Sequence, residues 1–248
     1  MHELGQPVKS SENEVPLALD DVPVQLRLRY ETGRYPLAMA AAEVFEVDDL
    51  AQLSGRRLAD KTDKDPGAIL DQTDNFALRD QLATLPLDHK LREIYHSMVL
   101  QVIAPAFGGR ISYTTRPTFR VHLPGTPPIS AWHRDADITG RIDYVNAWVP
   151  LVNVVDENTL WIEDDYGSGN HRPVIVAYGE VLIFDGGLLS HGSVLNDSER
   201  ARVSLDLRFA PRMPDGSARP TEVLSARPPP PFQLARPVAP PHPWRGRK

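Results

Sequence analysis

At 248 residues, with 41% hydrophobic and 24% charged residues, the chain can bury a sizeable core as a single globular domain. It contains no cysteine, which excludes disulfides, thiolate catalysis and cysteine-based zinc or iron–sulfur sites, so any metal must sit on His, Asp or Glu. The net charge of −6 is uneven: residues 212–248 hold seven Lys/Arg against two Asp/Glu, and the acidic remainder disfavours nonspecific nucleic-acid binding while suiting a cationic substrate or simple solubility.

In chain order, residues 1–22 read as a polar arm. Their polar and acidic residues stand where an export signal needs a basic end and an apolar stretch. With no apolar run of membrane-spanning length, this predicts a cytoplasmic protein without a membrane partner. From Tyr35 to about Gly109 the text is helical. Its clearest part begins at Asp88, which can cap a helix whose Leu91, Ile94, Tyr95, Met98, Val99, Val102 and Ile103 recur at helical spacing, as core packing requires. Pro105 and Gly108-Gly109 stop its far end.

After Gly109 the chain turns to short β-rich runs between turn residues: Ile111–Thr115, Thr118–Leu123, Tyr144–Leu151, Thr159–Glu163, Val174–Tyr178, Val181–Phe184, His191–Leu195 and Arg202–Phe209. Helices first and many short strands later predict a mainly β protein with flanking helices. Its core would be a jelly roll (double-stranded β-helix, cupin-like) over about 110–211, buttressed by the N-terminal helices within a domain of residues 23–211. Residues 212–248 are basic and rich in proline, including Pro228–Pro231. They are expected to form an extended tail, a proline-motif ligand or a strap on a second subunit.

The chemistry concentrates in three places. In Trp132-His133-Arg134-Asp135 a His and an acid two apart on extended backbone would point to one side. Asp137 shares that parity as a rival ligand. Downstream, the buried run Val181–Phe184 leads through Asp185-Gly186-Gly187 to His191-Gly192. Two imidazoles and one carboxylate brought together across a jelly roll form a facial triad, which binds Fe(II) on one face and leaves three positions open. Finally, Arg202 and Ser204 share the polar face of an alternating strand, where a guanidinium and a hydroxyl can grip one carboxylate. Arg208 lies on the same face as a rival anchor, and a surface salt bridge is the plain alternative for Arg202.

These residues resemble the phytanoyl-CoA-hydroxylase-like branch of the Fe(II)/2-oxoglutarate oxygenases, and within it the streptomycin-biosynthesis-type proteins. The likeness covers roughly Thr115 to Pro211 and rests on His133-Arg134-Asp135, Asn146-Ala147-Trp148, Gly179-Glu180, His191-Gly192 and Arg202. It implies iron ligation by His133, Asp135 and His191, and 2-oxoglutarate held by Arg202 and Ser204 beside Trp148, although Trp148 could equally be plain core. Thr118, Arg120 and Asn146 are candidates for the keto-acid end of 2-oxoglutarate or for the substrate; structural pairing is the alternative. The resemblance also implies O₂-dependent oxidation of a small molecule with release of succinate and CO₂. Because Asp135 is present, hydroxylation is favoured over halogenation, while cyclisation, desaturation and epimerisation use the same ligands. The acidic run Glu163-Asp164-Asp165 before a Gly-rich loop suggests a pocket entrance or a solvated loop. The competing functions are a non-catalytic jelly-roll ligand-binding module and a cupin-like metalloenzyme that does not use 2-oxoglutarate.

Overall fold

The computed structural model describes residues 25–142 and 144–211. The expected N-terminal arm (1–22) and proline-rich tail (212–248) lie outside the described residues. No helix among the described residues is long and apolar enough to cross a membrane.

The helical half comprises α1 (Leu37–Phe45), a 3₁₀ turn at Leu50–Gln52, α2 (Leu53–Thr62), α3 (Gln72–Ala83) and α4 (Lys90–Met98). α3 begins with a capping box: Asp71 accepts from the amide of Asp74, whose side chain accepts from Asp71 N. α4 starts one residue later than expected. Asp88 does not cap it; the Nδ1 of His89 accepts the amide of Leu91 instead. The predicted stripe faces inward, with Leu91, Tyr95, Met98, Val99 and Ile103 fully buried. Pro105 has no N–H for the preceding turn, and the helix widens into a π-turn at Val99–Ile103 before α5 (Ala104–Ala106). Gly108 and Gly109, both at positive φ, end it.

The strands form two antiparallel sheets that do not close into a barrel. The larger has the order β1 (Gln25–Arg29), β7 (Glu180–Phe184), β4 (Val145–Pro150), β9 (Arg202–Pro211) and β2 (Ile111–Tyr113), with β3 (Thr118–His122) also paired to β9. The smaller has the order β6 (His171–Val174), β5 (Leu160–Glu163) and β8 (His191–Gly192). Two expectations are corrected, and one strand is added. Val174–Tyr178 is not a strand; the chain pairs earlier, as β6, whose Pro173 is tolerated because β6 lies at a sheet edge. The strand expected at His191–Leu195 ends at Gly192. β1 was not foreseen, and its short alternation Gln-Leu-Arg-Leu-Arg adds an edge beside β7.

Register decides what the larger sheet shows on each face, because directly opposed residues project to the same side. Ala147 opposes Ile183 and Leu207, Val149 opposes Leu205, and Phe119 and Val121 oppose Leu205 and Val203; all are buried on the helix-facing side. The opposite face carries Asn146, Trp148, Phe184, Arg120, His122, Arg202, Ser204, Asp206 and Arg208. The helices thus cover the apolar face and leave a polar row turned toward the smaller sheet. α3 braces this layer: Asn75 accepts the amide of Leu123 and donates to Thr126, while Leu78 and Leu82 enter the core. Leu82→Ala should therefore lower stability by roughly 2–5 kcal/mol, read as a drop in urea midpoint with unchanged slope.

Candidate active site between the sheets

His133 stands just outside the smaller sheet and pairs with His191 as an isolated antiparallel bridge. Each residue donates its N–H to the other's carbonyl, at 3.1 and 2.9 Å. Such a pair points both side chains to the same side, and the imidazole centroids lie 4.5 Å apart. Each Nδ1 is near a backbone carbonyl, Ala131 O at 2.8 Å for His133 and Leu189 O at 3.0 Å for His191. A carbonyl only accepts, so each Nδ1 carries the proton and each Nε2 keeps its lone pair.

Asp135 reaches the same point by a different route from the one its spacing predicts. His133 sits in the bridge and Arg134 is still extended, but Asp135 opens the short helix α6 (Asp135–Thr139), which Gly140 ends at positive φ. Its amide donates to Gly186 O at 2.8 Å, tying this turn to the Gly-Gly segment after β7. His133, Asp135 and His191 each offer a ligand atom, all within 4.8 Å of one another, and Asp135 and His191 are buried. The rival Asp137 is exposed on α6 and does not join them.

The carboxylate of Asp135 is held firmly. Arg208 donates Nε to Oδ2 at 2.7 Å and Nη2 to Oδ1 at 2.6 Å, and Asn146 Nδ2 donates to Oδ2 at 2.7 Å. Burial alone would raise its pKa, but the Arg208 and Asn146 hydrogen bonds outweigh it and hold the pKa below the usual value. Arg208, the rival anchor for a dicarboxylate, is thus engaged elsewhere. Asn146, a candidate for substrate contact, supports the acid instead. Gly186 makes room for it, since a Cβ there would lie 2.3 Å from Asn146 Nδ2.

A cavity between the sheets is lined by His133, His191, Asn146, Trp148, Leu160, Phe184, Ser193, Arg202, Arg120 and Asp206, among others. Arg202 is 2% exposed, and among the described residues no carboxylate lies within ion-pair distance of it. Its Nη1 is fixed by the carbonyls of Asn158 and Thr159 at 3.0 and 2.9 Å. Its Nε, the Ser204 hydroxyl and the Ser193 hydroxyl are buried without hydrogen-bond partners. Burial, and then Arg120, push the guanidinium pKa down to about 9, against the pull of Asp206. A buried cation with no counter-ion among the described residues and an unpartnered Nε, beside two hydroxyls without partners, is costly to leave unmatched. Arg120 lines the cavity but is ion-paired with Asp206 at 3.1 Å, whereas Thr118 is exposed at the start of β3. Glu163 does not stand at an open entrance: it is 2% exposed and accepts the amides of Gly169 and Ser190.

Sequence reasoning missed the support given by Arg208 and Gly186 and the contribution of Ser193. The even-numbered positions of β9 already put Arg208 in the same row as Arg202; its partner was hidden because Asp135 arrives on a turn.

No protein-family model matches the chain. It is 35% identical over 186 residues to the streptomycin biosynthesis protein StrG of Streptomyces griseus, which covers 75% of this chain and 84% of StrG. EctD from S. alaskensis, solved with 2-oxoglutarate and 5-hydroxyectoine, superposes with a TM-score of 0.53 at 15% identity, covering 82% of this chain and 80% of that one. EctD with bound Fe gives 0.53 at 15% identity, over 82% and 81%. The likeness to EctD is one of fold, a helix-buttressed jelly roll.

Two outcomes follow from this geometry. Gly186→Ala should displace Asn146 and weaken divalent-metal binding, measured by titration, while leaving far-ultraviolet circular dichroism unchanged. His122, fully buried behind Arg202, has its pKa pushed down to about 3, by burial first and then by Arg202. Its folded pKa is below the unfolded value, so the unfolded chain protonates first and stability falls as pH drops below about 6.5, by up to roughly 1.4 kcal/mol per pH unit for this one imidazole. Thermal unfolding of chelator-treated protein between pH 7.5 and 5 measures this; a flat midpoint would contradict it.

Proposed function

The chain belongs to the family of the streptomycin biosynthesis protein StrG, and from that premise we propose that it is an Fe(II)- and 2-oxoglutarate-dependent oxygenase that hydroxylates a small-molecule intermediate of secondary metabolism. The observation that carries this reading is the joint presence, around one cavity, of the two histidines of a His-Asp-His ligand cluster and of a buried guanidinium, Arg202, that has no counter-ion among the described residues and lies with the partnerless hydroxyl of Ser193. The first fits a ferrous ion with positions to spare. The second fits the distal carboxylate of a dicarboxylic acid.

In this reading His133 and His191 present Nε2 lone pairs, kept available because each Nδ1 proton is held by a carbonyl. Asp135 supplies the anionic ligand. Arg202, Ser204 and Ser193 receive the far carboxylate of 2-oxoglutarate, which replaces the missing partners of a charge that water does not reach. Trp148, Phe184 and Leu160 line the space between and exclude water. When bound, Fe(II) and 2-oxoglutarate would supply the oxidation of a substrate C–H to an alcohol by O₂, with release of succinate and CO₂. The oriented Arg202 favours this over a metalloenzyme without 2-oxoglutarate, whose fold would have no use for an unpaired cation there. StrG's role in streptomycin biosynthesis points to an antibiotic-pathway intermediate as substrate.

Arg202→Ala should weaken 2-oxoglutarate binding by roughly 10- to 150-fold, as loss of a charge-assisted contact implies, while sparing metal affinity; equal binding in calorimetry would remove the co-substrate from this site. His133→Ala should abolish succinate release, and retained turnover would show that the ligand set is wrong.

A further inference from the structure

Resting on the reading of His133, Asp135 and His191 as a metal site, we infer that Arg208 is a positioning residue that forces Asp135 to bind the metal through one oxygen, with Asn146 selecting Oδ1 as that oxygen. A carboxylate has about four in-plane lone-pair sites, two per oxygen. The guanidinium of Arg208 gives one hydrogen bond to each oxygen, at 2.6 and 2.7 Å. A fork of this kind occupies the edge of the carboxylate that a chelating ion would need. Asn146 takes a second site on Oδ2 at 2.7 Å, leaving Oδ2 with two donors and Oδ1 with one. The remaining lone pair is on Oδ1, the oxygen 3.6 Å from His133 Nε2.

The consequence bears on the proposed chemistry. A co-substrate that binds through two atoms, plus O₂, needs all three positions that a facial triad leaves open. An Asp135 that chelated the metal would fill one of them. The arginine keeps that position free, and because it also partly neutralises the carboxylate, it does so at some cost in metal affinity. The arrangement is built into the fold: Asn146 and Arg208 are directly opposed on β4 and β9, and Asp135 is 1% exposed.

The direct test counts water ligands on Mn(II) bound to the full chain, by water-proton relaxation and by EPR line broadening in ¹⁷O-enriched water. Wild type should show three. Arg208→Gln should show two, with metal affinity equal or higher, because the carboxylate can then chelate; Asn146→Ala, which leaves the fork in place, should still show three. If Arg208→Gln does not fold, Arg208→Lys keeps the charge but cannot fork, and two waters are expected there. A merely structural role for Arg208 would lower metal affinity without changing the count in the bound fraction, and three waters in these Arg208 variants would overturn the inference. Adding 2-oxoglutarate separates it from the proposed function. Waters that 2-oxoglutarate does not displace from wild type would sink the co-substrate reading while the difference between variants stands. Wild type that binds no Mn(II) would overturn both.

Discussion

The site depends on one pair of backbone hydrogen bonds. His133 and His191 exchange N–H and C=O across an isolated bridge, and that exchange fixes the direction of both imidazoles before any side-chain interaction is considered. A slip of one residue would turn one of them to the opposite face of the sheet. Gly192, beside His191, keeps this pairing tight: a Cβ there would lie 3.0 Å from the Trp132 ring. The carbonyls of Ala131 and Leu189 then orient the rings so that the same nitrogen of each faces inward.

The second organising feature is the alternation of β9. One face of this strand, Val203, Leu205, Leu207 and Phe209, joins the apolar layer under the helices. The other, Arg202, Ser204, Asp206 and Arg208, is a polar row inside the molecule. Two of its members are satisfied by oppositely charged side chains: Arg208 by Asp135, and Asp206 by Arg120. Arg202 and Ser204 are not fully satisfied. Buried polar groups in a folded protein are normally paired; the proposed function assigns the unmatched end of the row to 2-oxoglutarate, while at the matched end Arg208 holds the Asp135 carboxylate.

Much of this was legible in the sequence because two periodicities carry it. The 3.6-residue spacing of Leu91, Tyr95 and Met98 announced the buttressing helix, and the two-residue alternation from Arg202 to Phe209 announced the strand that lines the cavity. The candidate residues His133, Asp135, His191 and Arg202 stood out only jointly, by their spacing and their resemblance to one family, since a chain with 8 His, 33 Asp/Glu and 27 Lys/Arg offers many single candidates. What could not be read depends on contacts between distant segments. Nothing local marks Asp135 as the start of a short helix, because its amide is fixed by Gly186, fifty-odd residues away in the chain. Arg208 looked like an alternative anchor until its partner came into view. β6 was displaced from the expected position because an edge strand tolerates the proline that would otherwise exclude it.

The central claim is that three side chains from distant segments meet on one ferrous ion. Anomalous scattering at the iron edge, from crystals grown anaerobically with Fe(II), tests it most directly. The prediction is a single peak within bonding distance of His133 Nε2, His191 Nε2 and Asp135 Oδ1, with none at Asp137. A peak elsewhere, or an iron-loaded crystal with no density among these three groups, would contradict it.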